Sequence, residues 1–396
     1  MPHDPRRVVI AGAGVAGLEA MLALRRLAEE RVAIHVIAPE REFTYRPLAV
    51  AEPFGAGEVA AFDLDELVRE QGARFQRDRV VGIERSDRIL RLGSGATAAY
   101  DDLVIACGGQ PVAPLRGALC FTAPESGSEL LQLLSELRAG APKRVVFAVP
   151  AGPSWPLPLY ELALMTAAHI AAHGNMGAEV ALVTPEPEPL GIFGAAASQS
   201  ITELLRSRRI EVVAGAQAVR VEPDALTTTS GRRLPADRVI SIPRLAGTRI
   251  PGLPHDRDGF LSTNVHGQVR SAPNVFAAGD VVSFPVKQGG IAAQQADSVA
   301  HSIAVAAGAP VELQPFRPVL RGLLLTGGRA RYLRAEIAGG HGDTSTATLE
   351  PLWWPPGKIA GRYLGPYLAD RAGPEHPALA AEPDGLGVEV ELPLVD

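Results

Sequence analysis

Cysteine is almost missing from this chain: Cys107 and Cys120 are the only two among 396 residues. They stand in neither a CxxC nor a CxxxxC spacing, which excludes a disulfide framework and a local redox dithiol and points to a reducing, cytoplasmic compartment. Basic runs are missing too. With 38 Lys and Arg against 44 Asp and Glu, the formal net charge is −6, and no concentrated basic face is available for nucleic acid. No uninterrupted apolar segment is long enough to span a bilayer. No secretory leader is expected either, because the N-terminal apolar stretch is a glycine-rich strand and then a helix interrupted by Glu19, Arg25 and Arg26. What is present is 46% hydrophobic residues with 41 glycines and 34 prolines, which suits a loop-rich α/β enzyme of two or three domains.

The strongest internal signal is repetition. Residues 7–11, RVVIA, form a β-branched run. Glycines follow, then a helix carrying Leu18, Met21, Leu22, Leu24 and Leu27, then a strand, VAIHVIAP, at 32–39. The pattern returns after residue 142, with KRVVFAV as strand, a helix from about Leu157 to His173 stopped by Gly174, and AEVALVTPE as strand. RRVVIA aligns with KRVVFA and HVIAPE with ALVTPE, as in a duplicated mononucleotide-binding unit. The expected fold is α/β: two Rossmann-like domains with parallel sheets plus a small C-terminal α+β region. The expected boundaries are 1–112 with 252–312 for the first domain, 113–251 for the second and 313–396 for the third. Each unit closes in a strand headed by an acid, Asp102 or Asp237, and residues 315–337 read as a hairpin turning at Gly327 and Gly328.

Gly12, Gly14 and Gly17 make a GxGxxG between strand and helix, the context that turns a weak motif into a strong one. Gly12 permits the tight turn, Gly14 lets backbone reach a pyrophosphate, and Gly17 lets helix and strand pack closely. Val15 and Ala16 fall in the first turn, whose amides and dipole would hold the phosphates. Glu40 lies near the end of the second strand, where an acid for the ribose hydroxyls is expected.

GAGVAGLEA, YDDLVIACGG and PNVFAAGD together resemble the FAD-dependent pyridine nucleotide-disulfide oxidoreductase superfamily over roughly residues 7–310. FTYRPLAVAE and KQGGIAAQQA resemble its branch of type II NADH dehydrogenases and sulfide:quinone oxidoreductases. The resemblance implies FAD, with Asp280 on the ribityl chain, Gly279 making room for it, and Val80 meeting adenine through its backbone. It puts Ala106, Cys107 and Gly108 near the FAD phosphates, with packing rather than catalysis expected of the thiol. Lys287, Gly289 and Gly290 would approach the flavin pyrimidine edge, where a cation or N–H donors stabilise the reduced flavin. Gln294 would lie along a quinone site, and Glu161 would face the flavin and relay protons. The implied activity is electron transfer through the flavin to a quinone-like or other small acceptor. Sulfide:quinone thiol chemistry is not expected, because it needs a cysteine pair and no cysteine follows Cys120.

The second strand-helix loop carries Pro150, Pro153, Pro156 and Pro158. Proline has no N–H to offer a phosphate, so this loop reads as a poor dinucleotide site and the donor stays open between NAD(P)H and another reductant. Glu186, the repeat partner of Glu40, is the ribose residue if NAD(P)H binds. A flavin-binding redox sensor or scaffold with a decayed catalytic half is the alternative function. His169 and His173 are four apart on one helix but lack a third ligand, so no metal is expected. Aromatics are only 5% of the chain, so the gathering of Trp353, Trp354, Tyr363 and Tyr367 with Lys358 and Arg362 stands out. It suits either peripheral contact with the inner face of a membrane or a buried inter-domain or homodimer contact, with Pro355, Pro356 and Pro366 breaking any long helix.

Overall fold

The computed structural model describes residues 4–122, 125–174, 177–328, 331–337, 343–348, 353, 357–372 and 385–391. The first repeat gives β1 (Arg6–Ala11), α1 (Val15–Ala28), β2 (Val32–Ala38), β3 (Arg74–Arg77) and β4 (Asp102–Ile105). The second gives β5 (Leu119–Cys120), β6 (Arg144–Ala148), α2 (Leu157–Ala172), β7 (Glu179–Val183), β8 (Ile210–Val213) and β9 (Arg238–Ser241), after which β10 (Val275–Ala277) returns to the first sheet. The sheet orders are β10-β4-β1-β2-β3 and β5-β9-β6-β7-β8, parallel throughout. The duplication expected from the sequence is thus a match of topology, central strand on central strand.

Val8, Val9, Ile10 and Ala11 are all buried, as are Val145 to Ala148, because a parallel strand covered on both faces has no polar side. The antiparallel ribbons that cover one face repeat as well: Val80–Glu84, Ile89–Leu92 and Thr97–Ala99 in the first half, Ala218–Val221, Ala225–Thr228 and Arg233–Pro235 in the second. The two acids heading strands are clips. Asp102, buried, receives the Arg6 guanidinium and the Asn274 amide, while Asp237 accepts the amides of Lys143 and Arg144, each at 2.9 Å. A two-stranded ribbon, Gly109–Val112 with Arg244–Gly247, ties the halves together.

α3 (Gly289–Ala306) runs against α1. Four further strands follow: β11 (Val319–Leu325), β12 (Arg331–Ile337), β13 (Asp343–Thr348) and β14 (Gly385–Glu391), in the order β11-β14-β12-β13. The hairpin expected at 315–337 does not form. Gly327 does turn the chain, with φ of +66°, but β14 inserts between the two strands, antiparallel to β11 and parallel to β12. Local periodicity cannot register a partner that arrives from so far along the chain.

Before β14 the chain forms α4 (Leu364–Ala372), which lies on α1. Leu364 and Leu368 are buried, Tyr363 and Tyr367 half-buried, and the Tyr367 hydroxyl donates to Glu70 at 2.6 Å. Tyr363, Leu364, Tyr367 and Leu368 therefore pack on the half built from the first repeat; Trp354, Pro355 and Pro356 lie outside the described residues. Among the described residues no helix is long and apolar enough to cross a membrane.

Candidate functional site

The first strand-helix loop is shaped by what its glycines lack. A Cβ on Gly12, where φ is +110°, would stand 2.3 Å from the Ala106 carbonyl oxygen, and one on Gly17 would stand 2.0 Å from the Gly12 carbonyl oxygen. Backbone occupies both places, so only glycine fits. At Gly14, the N-cap of α1, a Cβ would meet nothing within 4 Å. Protein packing does not account for that glycine. The open side faces the first-turn amides of Val15, Ala16 and Gly17, which have no acceptor within the helix, and a pyrophosphate fits there. The residues present suit FAD.

The rim of the cradle comes from the ends of β2 and β4. Glu40 is exposed just past β2 and lies close enough to Cys107 for its charge to act on the thiol. Ala106 donates its amide to the Ala11 carbonyl at 2.7 Å, and Cys107 Sγ donates to the same oxygen at 3.3 Å. Burial pushes the Cys107 thiol up to about 12, and Glu40 adds to the shift. Gly108 follows with φ of +70°, and Val80 sits half-buried at the head of its ribbon.

Gly279 turns the chain after β10 with φ of +84°, its amide donating to Gln295 Oε1 at 2.8 Å. A Cβ there would come within 3.1 Å of Ala16, so this loop meets the cradle directly. Asp280 follows; burial pushes its carboxyl up and Lys287 draws it back. Lys287, expected at a flavin edge, has its ammonium engaged by protein groups. Its ammonium, 5% exposed, donates to the Asp280 carbonyl at 3.2 Å and to the Val282 carbonyl, and rests 3.9 Å from the Phe260 ring centroid. Burial holds it down to about 8. A buried cation needs acceptors, and these fix it as a staple of the Asp280 loop.

Gln294, expected along an acceptor site, is likewise engaged by backbone. Its amide donates to the Gly290 carbonyl at 2.9 Å and the Val319 carbonyl at 2.8 Å, and accepts the Val319 amide at 2.8 Å, so it binds β11 to α3. The neighbouring Gln295 and the N-cap Gln288, whose Oε1 accepts the Ile291 amide at 2.9 Å, were not singled out by sequence reasoning. Gly289 and Gly290 open α3, and a Cβ on Gly289 would lie 3.1 Å from Ile359.

That contact brings in a residue the sequence marked only as part of the aromatic C-terminal segment. Lys358, beside Ile359, donates to Glu161 Oε1 at 2.7 Å and Oε2 at 2.6 Å, and the Leu325 amide donates to Oε1 at 2.7 Å. Glu161 is 0% exposed, neither a first-turn acid on the surface nor an isolated group. Burial pushes Glu161 up and draws Lys358 down, while their mutual attraction opposes both shifts. Tyr45, from FTYRPLAVAE, accepts the Ile359 amide at 3.1 Å, and burial pushes its phenol up to about 12. A proton-bearing pair thus lies next to the N-terminus of α3.

The second strand-helix loop is longer and proline-rich. It runs over residues 149–156, where the first uses only 12–14. Trp155 packs edge-on against Phe193 with ring centroids 5.7 Å apart, and Leu245 donates to the Pro153 carbonyl at 2.7 Å. Pro158 brings no amide to the first turn of α2, and the Leu159 amide is taken by the Pro156 carbonyl at 2.9 Å. Glu186 is turned inward. The Tyr160 and Thr184 hydroxyls both donate to its Oε2 at 2.7 Å, and burial pushes its carboxyl up. Glu40 stands exposed at the equivalent place. The His169 and His173 rings lie 4.2 Å apart, with His173 Nδ1 2.8 Å from the His169 carbonyl oxygen. Among the described residues no group of three ligating side chains could hold a metal.

A family model described as pyridine nucleotide-disulphide oxidoreductase matches residues 6–148 and 161–306, and the stretch it passes over, 149–160, contains the proline loop. The chain is 28% identical over 292 residues to an NADH dehydrogenase-like protein of Mycobacterium tuberculosis, covering 70% of this chain and 73% of that one. It is 26% identical over 303 residues to the demethylphylloquinone reductase of a Synechocystis species, covering 69% and 71%. The solved sulfide:quinone oxidoreductase of Aquifex aeolicus shares the fold, with a TM-score of 0.71 at 23% identity over 81% of each chain.

Proposed function

The chain belongs to the pyridine nucleotide-disulphide oxidoreductase family and is an FAD-dependent oxidoreductase, and from that premise we propose that it hands electrons from the flavin directly to a quinone-type acceptor. The second dinucleotide fold then serves as scaffold, and NAD(P)H is a weak donor. The contrast between the two loops carries this reading: the first leaves a glycine-lined opening at a helix N-terminus, and the second enters its helix through prolines that bring no N–H, with Trp155 packed on Phe193. The demethylphylloquinone reductase among its relatives supports the acceptor class.

When bound, the flavin supplies two-electron acceptance and release. The protein's part is to hold it and to manage the accompanying protons. The α1 amides would hold the pyrophosphate and Asp280, on a loop stapled by Lys287, the ribityl chain, while Glu161 with Lys358, both buried, would keep a proton ready.

Thiols take no part in this scheme. At neutral pH a thiol pushed up to about 12 carries almost no thiolate, and burial raises Cys120 as well. Cys107→Thr and Cys120→Ser, singly and together, should keep turnover within about twofold, since only packing and the Cys107 donation to the Ala11 carbonyl, which a threonine hydroxyl can replace, are exchanged. A loss of a hundredfold in either would put a thiol back into the mechanism.

The donor is tested by anaerobic mixing of the flavin-loaded protein with NADH or NADPH, following the flavin band near ~450 nm. Dithionite should bleach it at once, and a soluble quinone should restore it. NAD(P)H should need about millimolar concentration for half-saturation, the upper end of the usual range. Half-saturation at a few micromolar would overturn the reading of the second loop. Failure of quinone to restore the band would overturn the acceptor.

A further inference from the structure

Three backbone amides of the C-terminal segment are received by buried side chains of the first half. Glu19, on α1 and 0% exposed, accepts the Tyr363 amide at 2.8 Å on Oε1 and the Leu364 amide at 2.6 Å on Oε2, so it caps the start of α4. Tyr45, 3% exposed, accepts the Ile359 amide at 3.1 Å. The stretch 359–364 is therefore held at both ends. Lys358 is the residue just outside its upstream end.

Tyr45 is itself fixed. It follows the strand Glu42–Thr44, which pairs with Ala61–Asp63, and its amide donates to the Ala60 carbonyl at 2.8 Å. Its ring belongs to one apolar cluster with Leu48, Ile359, Leu364 and Leu368. A Cβ on Gly357 would stand 3.4 Å from the Tyr45 hydroxyl, and one on Gly289 would stand 3.1 Å from the Ile359 side chain, so residues 357–359 run between the phenol and the start of α3. The Gly357 carbonyl accepts from Trp353 Nε1 at 2.9 Å. Both neighbours of Lys358 are thus pinned, while its side chain, 7% exposed, reaches Glu161 of the second half.

We propose that Tyr45 is a positioning residue for Lys358: by receiving the Ile359 amide, its phenol oxygen sets the course of residues 357–359 and so delivers the lysine to Glu161 across the boundary between the halves. A flexible four-carbon stem holds its ammonium against both oxygens of one carboxyl only when the backbone beneath it is fixed. Glu19 fixes the start of the helix, and Tyr45 fixes the turn that carries the lysine. The consequence for turnover rests on the proton role proposed above for Glu161 and Lys358; the placement does not.

Lys143, Lys287 and Lys358 are the three lysines of the chain, and of these only Lys143 is exposed, so amine labelling reads Lys358 with Lys287 as a buried control. The FAD-loaded protein is treated by reductive dimethylation and each site is followed by peptide mass spectrometry. Tyr45→Phe keeps the ring and removes the acceptor. It should speed labelling of Lys358 about tenfold, the effect of leaving one buried amide unmet, with Lys287 unchanged. An unchanged rate at Lys358, or equal speeding at Lys287, overturns the proposal, the second because it marks general loosening. In the wild type the Ile359 amide should exchange at least about a hundredfold more slowly than an unprotected amide. Exchange at the unprotected rate overturns the proposal whether or not the variant folds. If the pair handles protons, Tyr45→Phe also lowers kcat at unchanged KM for the quinone. Faster labelling confined to Lys358 with kcat intact supports the placement and removes the proton role, so the two failures are told apart.

Discussion

Gly17→Ala is expected to yield a protein that loses FAD and melts early, whereas Gly14→Ala should fold as the wild type and lose only the flavin. The added methyl at Gly17 would sit 2.0 Å from the Gly12 carbonyl oxygen, so α1 must move off β1. Forced shifts of this kind cost about 1–3 kcal/mol or more, and here the obstacle is backbone that cannot swing aside. A drop in apoprotein melting temperature of several degrees follows, on the order of 2–4 °C per kcal/mol for a domain of this size. At Gly14 the methyl meets no protein atom within 4 Å. It enters only the space assigned to the pyrophosphate, so FAD affinity should fall about tenfold to a hundredfold with no change in the apoprotein melt. Fluorescence titration with FAD and thermal melts of the apoproteins separate the two effects. Wild-type affinity in Gly14→Ala would show that the opening is not the phosphate cradle; an unchanged melt in Gly17→Ala would show that α1 tolerates the displacement.

The glycine loop was legible in the sequence because strand, turn and helix lie within about twenty residues and the spacing marks their junction; Gly17 answers to the nearby Gly12 carbonyl, although Gly12 itself answers to Ala106 beyond β4. The duplication was legible for the same reason, since β1-α1-β2 and β6-α2-β7 each carry their own apolar periodicity. The charged residues of the site were not. Glu161 reads as an acid near a helix start, and only the fold brings Lys358 to it from 197 residues away. Lys287 and Gln294 have the right chemistry to touch a cofactor or substrate, but their polar atoms are taken by carbonyls of Asp280 and Val282 and by the backbone of Val319. A sequence shows which groups can donate; it does not show which acceptors the fold brings within their reach. Lys358, among apolar neighbours and prolines, looked like part of an amphipathic surface, yet Ile359 beside it is buried.

Lys358→Met should destabilise the protein by about 3–5 kcal/mol at pH 8, because it leaves the Glu161 carboxylate buried without its counter-ion. The Leu325 amide alone remains as a donor to it. The effect should depend on pH in a definite direction. Burial pushes Glu161 up, and without Lys358 nothing of opposite charge opposes that push. The folded variant then holds a proton that the unfolded chain gives up near the ordinary Glu value of 4.5. Its stability relative to the wild type is best at and below that pH, falls as pH rises toward the raised folded value, and is constant above it. Chemical denaturation of both proteins between pH 5 and 9 measures the gap; a gap of equal size at every pH would show that Glu161 is not the charge left behind. Glu161→Gln with Lys358→Met removes both ions and should recover most of the stability with no pH dependence, since a neutral pair of similar volume needs no counter-ion. If the two residues only hold the C-terminal segment in place, this double variant should also recover turnover. If they deliver protons at the flavin, it should fold, bind FAD and still turn over about a hundredfold to ten-thousandfold more slowly.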